Sequence, residues 1–126
     1  MPKIPIDECP AGPAMDAAVA EALGWHWHDG RGTAGPSYWE TADGDTAYIW
    51  DFEPSTDIVA AWELIENLKK RRPMVTIQLD GWGSTWICWV DNNNMNQWEK
   101  GETAPLTICR AFLKANGVEY VEVLHE

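Results

Sequence analysis

Nine tryptophans lie between Trp25 and Trp98 of this 126-residue chain, and their placement restricts the folds open to it. Each indole buries on the order of 200 Å² and needs a partner for its N–H. One or two fill the core of a small domain, so the rest must cover sheet faces or meet a ligand or partner. Side chains alternate along a strand. Trp86 and Trp89, three apart in the strand-like run Thr85 to Val90, therefore point to opposite faces. On an earlier hairpin Tyr48 and Trp50 share one face and Ile49 takes the other. A sheet apolar on both sides should be buried on both sides. Helices split across the two faces would do this, and so would a second subunit or a ligand.

Local signals supply the remaining elements. Pro13 suits the first turn of a helix over Ala14 to Leu23 that Gly24 stops. The following Trp25-His26-Trp27-His28-Asp29 run passes into a glycine-rich stretch and reads as a loop. Ser37 to Thr41 and Thr46 to Trp50 flank Ala42-Asp43-Gly44-Asp45, a hairpin signal. Ser55 reads as the N-cap of a long helix whose apolar face is Ile58, Ala61, Trp62, Ile65 and Leu68. Its basic end, Lys69-Lys70-Arg71-Arg72, complements the helix dipole before Pro73 ends it.

Met74 to Leu79 and Thr85 to Val90 form a second hairpin around Asp80-Gly81-Trp82-Gly83-Ser84, and Met95 to Lys100 extends it to a meander. Thr103 caps a last helix with Leu106, Cys109, Phe112 and Leu113 on its apolar face, closed by Asn116-Gly117. The tail from Val118 to Glu126 is β-prone and adds an edge strand or pairs with a second copy. The expectation is one α+β domain over residues 1–126, an antiparallel sheet of about five strands layered with three helices, after an extended lead-in over residues 1–13.

The charge narrows the partners. Twenty acids against nine bases give a net charge of −11, which argues against general nucleic-acid binding, a mode that relies on Lys and Arg. No run of about 18 apolar residues or signal-like leader is visible, so the chain is expected to work in the cytoplasm without a membrane anchor. Cys9, Cys88 and Cys109 lack metal or redox spacing and read as reduced, buried thiols.

No nucleophile elbow, phosphate loop, dinucleotide fingerprint or zinc helix is present, so no catalytic residue, metal site or cofactor is assigned. The candidate ligand-binding residues are aromatic and polar: Trp27, His28, Arg31, Tyr48, Trp50, Trp82 and Trp86. Trp82, set between two glycines, could stack on a planar group, and Arg31 could meet a phosphate.

Four blocks, Glu21 to Trp25, Ser37 to Glu40, Pro54 to Glu63 and Ala104 to Lys114, resemble the phage ABA sandwich domain family of small phage and prophage proteins. The resemblance runs over most of the chain and implies a layered α+β fold, without supplying a catalytic residue. It also implies a phage context, in which small proteins often resemble counter-defence factors. The expectation is therefore a non-enzymatic sponge, oligomeric and acting in the infected bacterium, that sequesters a nucleotide-derived immune signal such as a cyclic nucleotide or ADP-ribose derivative. The alternative is an acidic inhibitor, with a nucleic-acid mimic as one form of it, that binds a host defence protein directly.

Overall fold

The computed structural model describes residues 3–30, 35–71, 76–92 and 95–122, with backbone alone at 49, 76, 77, 82, 92 and 95–97. Its centre is the last helix. α3 (Ala104–Ala115) buries residues 106–113 and Ala115, so almost its whole circumference is covered rather than one apolar stripe. Thr103 caps it as expected, its side chain accepting the Leu106 N–H. Leu106, Cys109, Phe112 and Leu113 are at most 5% exposed.

Three structures surround α3. A meander of β5 (Thr76–Trp82), β6 (Thr85–Asn92) and β7 (Met95–Gly101) packs on one side. α2 (Ile58–Arg71) and α1 (Pro13–Ala22) pack on the others. The core joins Met15 and Val19 of α1, Ala61, Leu64, Ile65 and Leu68 of α2, and Cys88 and Val90 of β6 around Phe112.

The helix starts follow local chemistry. Pro13 opens α1 after Gly12, whose φ of 148° favours glycine. α2 begins three residues later than its expected cap: Asp57, not Ser55, accepts the Val59 N–H at 3.1 Å. Ser55 is wholly buried and ties the two helices together. Its hydroxyl accepts the Gly12 N–H at 2.9 Å, and its own N–H donates to Asp16 Oδ1 at 2.8 Å.

The antiparallel sheet is divided, and its strand count differs from the expected five. Beside the meander lie a two-stranded pair, β1 (Lys3–Pro5) with β8 (Tyr120–Glu122), and a three-stranded sheet in the order β2 (His26–His28), β3 (Tyr38–Glu40), β4 (Thr46–Tyr48). The C-terminal tail thus pairs with the chain's own N-terminal strand, Ile4 opposite Val121. The segment read as a loop after α1 contains β2, because its alternating residues find a partner in β3. Trp50 leaves the strand assigned to it and sits in a 3-10 turn, Ile49–Asp51. Trp82 is the last paired residue of β5, opposite Thr85, and not the tip of a turn. The tight reversal needs only Gly83, at φ 60°, and Ser84.

Two burial expectations fail. Trp62 is 49% exposed, while Leu64 is buried in its place. The small Ala61 side chain lets α2 approach α3 along the Leu64, Ile65 and Leu68 stripe, which turns Trp62 outward. Among the described residues a helix covers the meander on one face, that of Cys88 and Val90, where α3 packs. Trp98, on the far face, remains 50% exposed. No helix among the described residues is long and apolar enough to cross a membrane.

Candidate functional site

The β2–β3–β4 sheet separates its aromatic residues by parity. Trp27, Trp39 and Ala47 are opposite one another and share one face. Trp39, 7% exposed, packs on Ala17 and Ala20 of α1 and forms a second, smaller core. Trp27 lies on Trp39 with centroids 5.0 Å apart and planes tilted by 56°, and is 42% exposed. Trp27 therefore borders the core and is separated from the other candidates by the thickness of the sheet.

The opposite face carries a row of rings. His28, Tyr38 and Tyr48 are in register across the three strands. His28 stacks on Tyr38 at 4.8 Å and 10°, and Tyr38 meets Tyr48 edge-on at 6.4 Å. The 3-10 turn extends the row. The Tyr48 N–H donates to Asp51 Oδ2 at 3.0 Å, which bends the chain so that Trp50 stacks on Tyr48 at 4.9 Å and 10°. Trp50, at the open end, is 63% exposed. Sequence parity paired Tyr48 with Trp50 as strand neighbours, and the turn brings them together by another route. Tyr38 links the two ends, and only the strand register identifies it.

The electrostatics of this ladder are anionic. Glu40, on the same face, accepts from or pairs with His28 Nε2 at 2.8 Å, and both side chains are more than 40% exposed. Asp29 holds Ser37 at one end, and Asp51 lies at the other. Between Trp25 and Phe52 the sequence has five carboxylates and a single basic residue, Arg31. Arg31 lies outside the described residues. An electron-rich ring face attracts cations, and adjacent carboxylates strengthen that preference. A phosphate placed here would face the same carboxylates unfavourably.

The other candidates do not join this row. Trp86 is on β6, on the side of Cys88 and Val90, with its ring against Gly81 across the strand pair. It fills space that glycine leaves open. The Trp82 side chain is outside the described residues.

Elsewhere, a groove of about 360 Å³ runs between α1 and β8, with an alanine floor and Glu21, Glu122 and Lys3 on its rim. None of the sequence candidates lines it. Burial, and then the charge of Glu122, raise the pKa of Glu21. The three cysteines are buried. Burial pushes the Cys88 thiol up to about 12 and Cys109 higher still, whereas the Arg110 charge partly opposes the rise at Cys9. Among the described residues no three metal-ligating side chains gather at one point.

The fold and this surface define a small acidic α+β domain with an aromatic ladder on an accessory sheet. The chain belongs to the Phage ABA sandwich domain family, whose family model matches residues 17–113. No curated protein and no solved structure matches it. The match runs from the middle of α1 through most of α3, so it takes in the ladder, the meander and α2.

Proposed function

We propose that this phage protein is a non-enzymatic binding protein that acts inside the infected bacterium by docking on a cationic surface of a host defence protein. The observation that supports this reading is the ladder His28–Tyr38–Tyr48–Trp50 lying beside Glu40 and Asp51. Lys and Arg side chains of a partner would lie over the ring faces and reach the carboxylates, a pairing worth ~0.5–2 kcal/mol per cation. Aromatic anchors of this kind dominate binding energy at protein interfaces. The net charge of −11 would steer a basic partner toward the domain.

A second cluster supports a macromolecular partner. Ile58, Val59 and Trp62 at the start of α2 are 46%, 66% and 49% exposed, and Asp57, Glu63 and Glu66 flank them. The nucleotide-sponge reading draws support from one feature, the open ring of Trp50 as a stacking surface for a base. The surrounding carboxylates weigh against it.

The test compares the wild-type chain with Tyr48→Ala/Trp50→Ala in capture from host lysate and in titration with an arginine-rich peptide. The expected result is saturable peptide binding that weakens with salt, and one identified host protein captured by the wild type and lost by the double variant. The same chain is titrated with cyclic nucleotides and ADP-ribose derivatives by tryptophan fluorescence. Tight quenching by one nucleotide, with the molecule recovered unchanged on heating, would replace this reading by the sponge. A changed molecule would make the protein an enzyme.

A further inference from the structure

We propose that the uncovered face of the meander is a self-association surface, on which a second copy of this chain docks about a two-fold axis parallel to the strands. The register assigns the two faces. Leu79, Cys88 and Glu99 form one cross-strand row and point with Val90 toward α3. The next row points away from it: Gln78 opposite Trp89 opposite Trp98. So does a parallel row, Asp80 opposite Ile87 opposite Lys100.

An antiparallel sheet with one wetted face normally places polar residues outward. Here the outward face carries Ile87 and Trp89 on the central strand and Trp98 on the edge strand β7. Among the described residues, α1 packs chiefly on α3 and β8 and α2 on α3, and α3 is the helix that makes extensive contact with the meander. Apolar residues along the central strand, with Gln78, Asp80 and Lys100 on the flanking strands, match the make-up of an interface.

The charges favour a second copy as the occupant. Asp80 and Lys100 occupy opposite edge strands of the same row, with Ile87 between them. Gln78 Nε2 donates to Asp80 Oδ2 at 2.8 Å and holds the carboxylate on this face. A two-fold along the strands exchanges the two edges. Asp80 of each copy then lies over Lys100 of the other, while Ile87 and Trp89 meet their own counterparts. This is the self-complementary pairing that an isologous contact requires. Aligned sheets cross at about 30°, which carries Asp91 at the end of β6 away from its counterpart and centres the contact on Ile87 and Trp89.

The face is three strands wide, so the contact falls at the small end of specific interfaces. A contact of this size gives a dimer whose population depends on concentration.

Sedimentation velocity on the full chain across the micromolar range tests this, together with variants that leave the α3 side untouched. The wild type should pass from monomer to dimer. Trp98→Asp should stay monomeric with an unchanged unfolding midpoint. Lys100→Glu and Asp80→Lys should each weaken association more than about tenfold, because each sets two like-charge contacts across the axis. Asp80→Lys decisively separates this pairing from general repulsion, since it lowers the net negative charge and should still weaken the dimer. The double swap Asp80→Lys/Lys100→Glu should restore it. A wild-type chain monomeric throughout, a dimer indifferent to Trp98→Asp, or a double swap no better than the single variants would each overturn the proposal.

Discussion

Replacing Arg110 with Met should destabilise the domain by about 2–4 kcal/mol, a figure that follows from the position of the guanidinium. Arg110 is 8% exposed on the central helix. Its Nη1 donates to the Lys100 carbonyl at the end of β7, and its Nη2 donates to the Cys9 carbonyl in the segment before α1, both at 2.8 Å. One side chain thus joins α3 both to the end of the preceding strand and to a segment near the N-terminus. Hydrogen bonds from a charged donor contribute about 1.5–3 kcal/mol each, so the two together represent roughly 3–6. Against this, Nε is buried with no hydrogen-bond partner among the described residues. Removing it recovers roughly 1–3 kcal/mol of desolvation. Methionine fills most of the volume, so no large cavity term is added.

Arg110→Lys should lie between wild type and Arg110→Met, because one ammonium group cannot span two carbonyls on separate segments. Urea unfolding followed by tryptophan fluorescence gives both values. Arg110→Met within about 0.5 kcal/mol of wild type would mean that burying the cation costs as much as its bonds return, and the clamp argument would fail.

Three further outcomes are expected. Phe112→Ala, at a site 1% exposed, should cost about 3–5 kcal/mol, whereas Trp62→Ala, at a site 49% exposed, should cost less than about 1 kcal/mol in the same unfolding assay. The pKa of Asp16 is raised, first by burial, and hydrogen bonds from Ser55 oppose the rise. An acid raised in the folded state stabilises the fold below its ordinary carboxylate range, and this contribution is lost as pH climbs through the raised value. Asp16→Asn, which keeps the acceptor for Ser55, should therefore flatten the fall in stability between acidic and neutral pH, as read from unfolding midpoints across that range. A thiol reagent at neutral pH should leave Cys88 and Cys109 unmodified in the native protein and label them on unfolding, because both are buried and their thiols are held protonated.

Much of the secondary structure was legible because its signals are local. Pro13 and Thr103 mark helix starts through backbone chemistry within one turn, and Gly83 marks a hairpin through its permitted φ. The site was less legible. His28, Tyr48 and Trp50 stood out as residue types, but their assembly depends on Tyr38 and on strand register, neither of which local spacing specifies. β2 was missed because three residues become a strand only when β3 is beside them.

By itself the sequence determined which segments are helices, that a hairpin reverses near Gly83, and that the apolar side chains of the meander occupy both faces, since all three depend on neighbours a few residues apart. Only the tertiary structure decided which apolar stripe of α2 turns inward, because Ile58–Trp62 and Leu64–Leu68 both satisfy helical periodicity and close approach to α3 selects between them. It also decided that α3 packs on the Cys88 and Val90 face of the meander, which leaves Trp98 on the other face half exposed. Periodicity identifies the faces an element has. Packing against the rest of the chain selects the face to be buried.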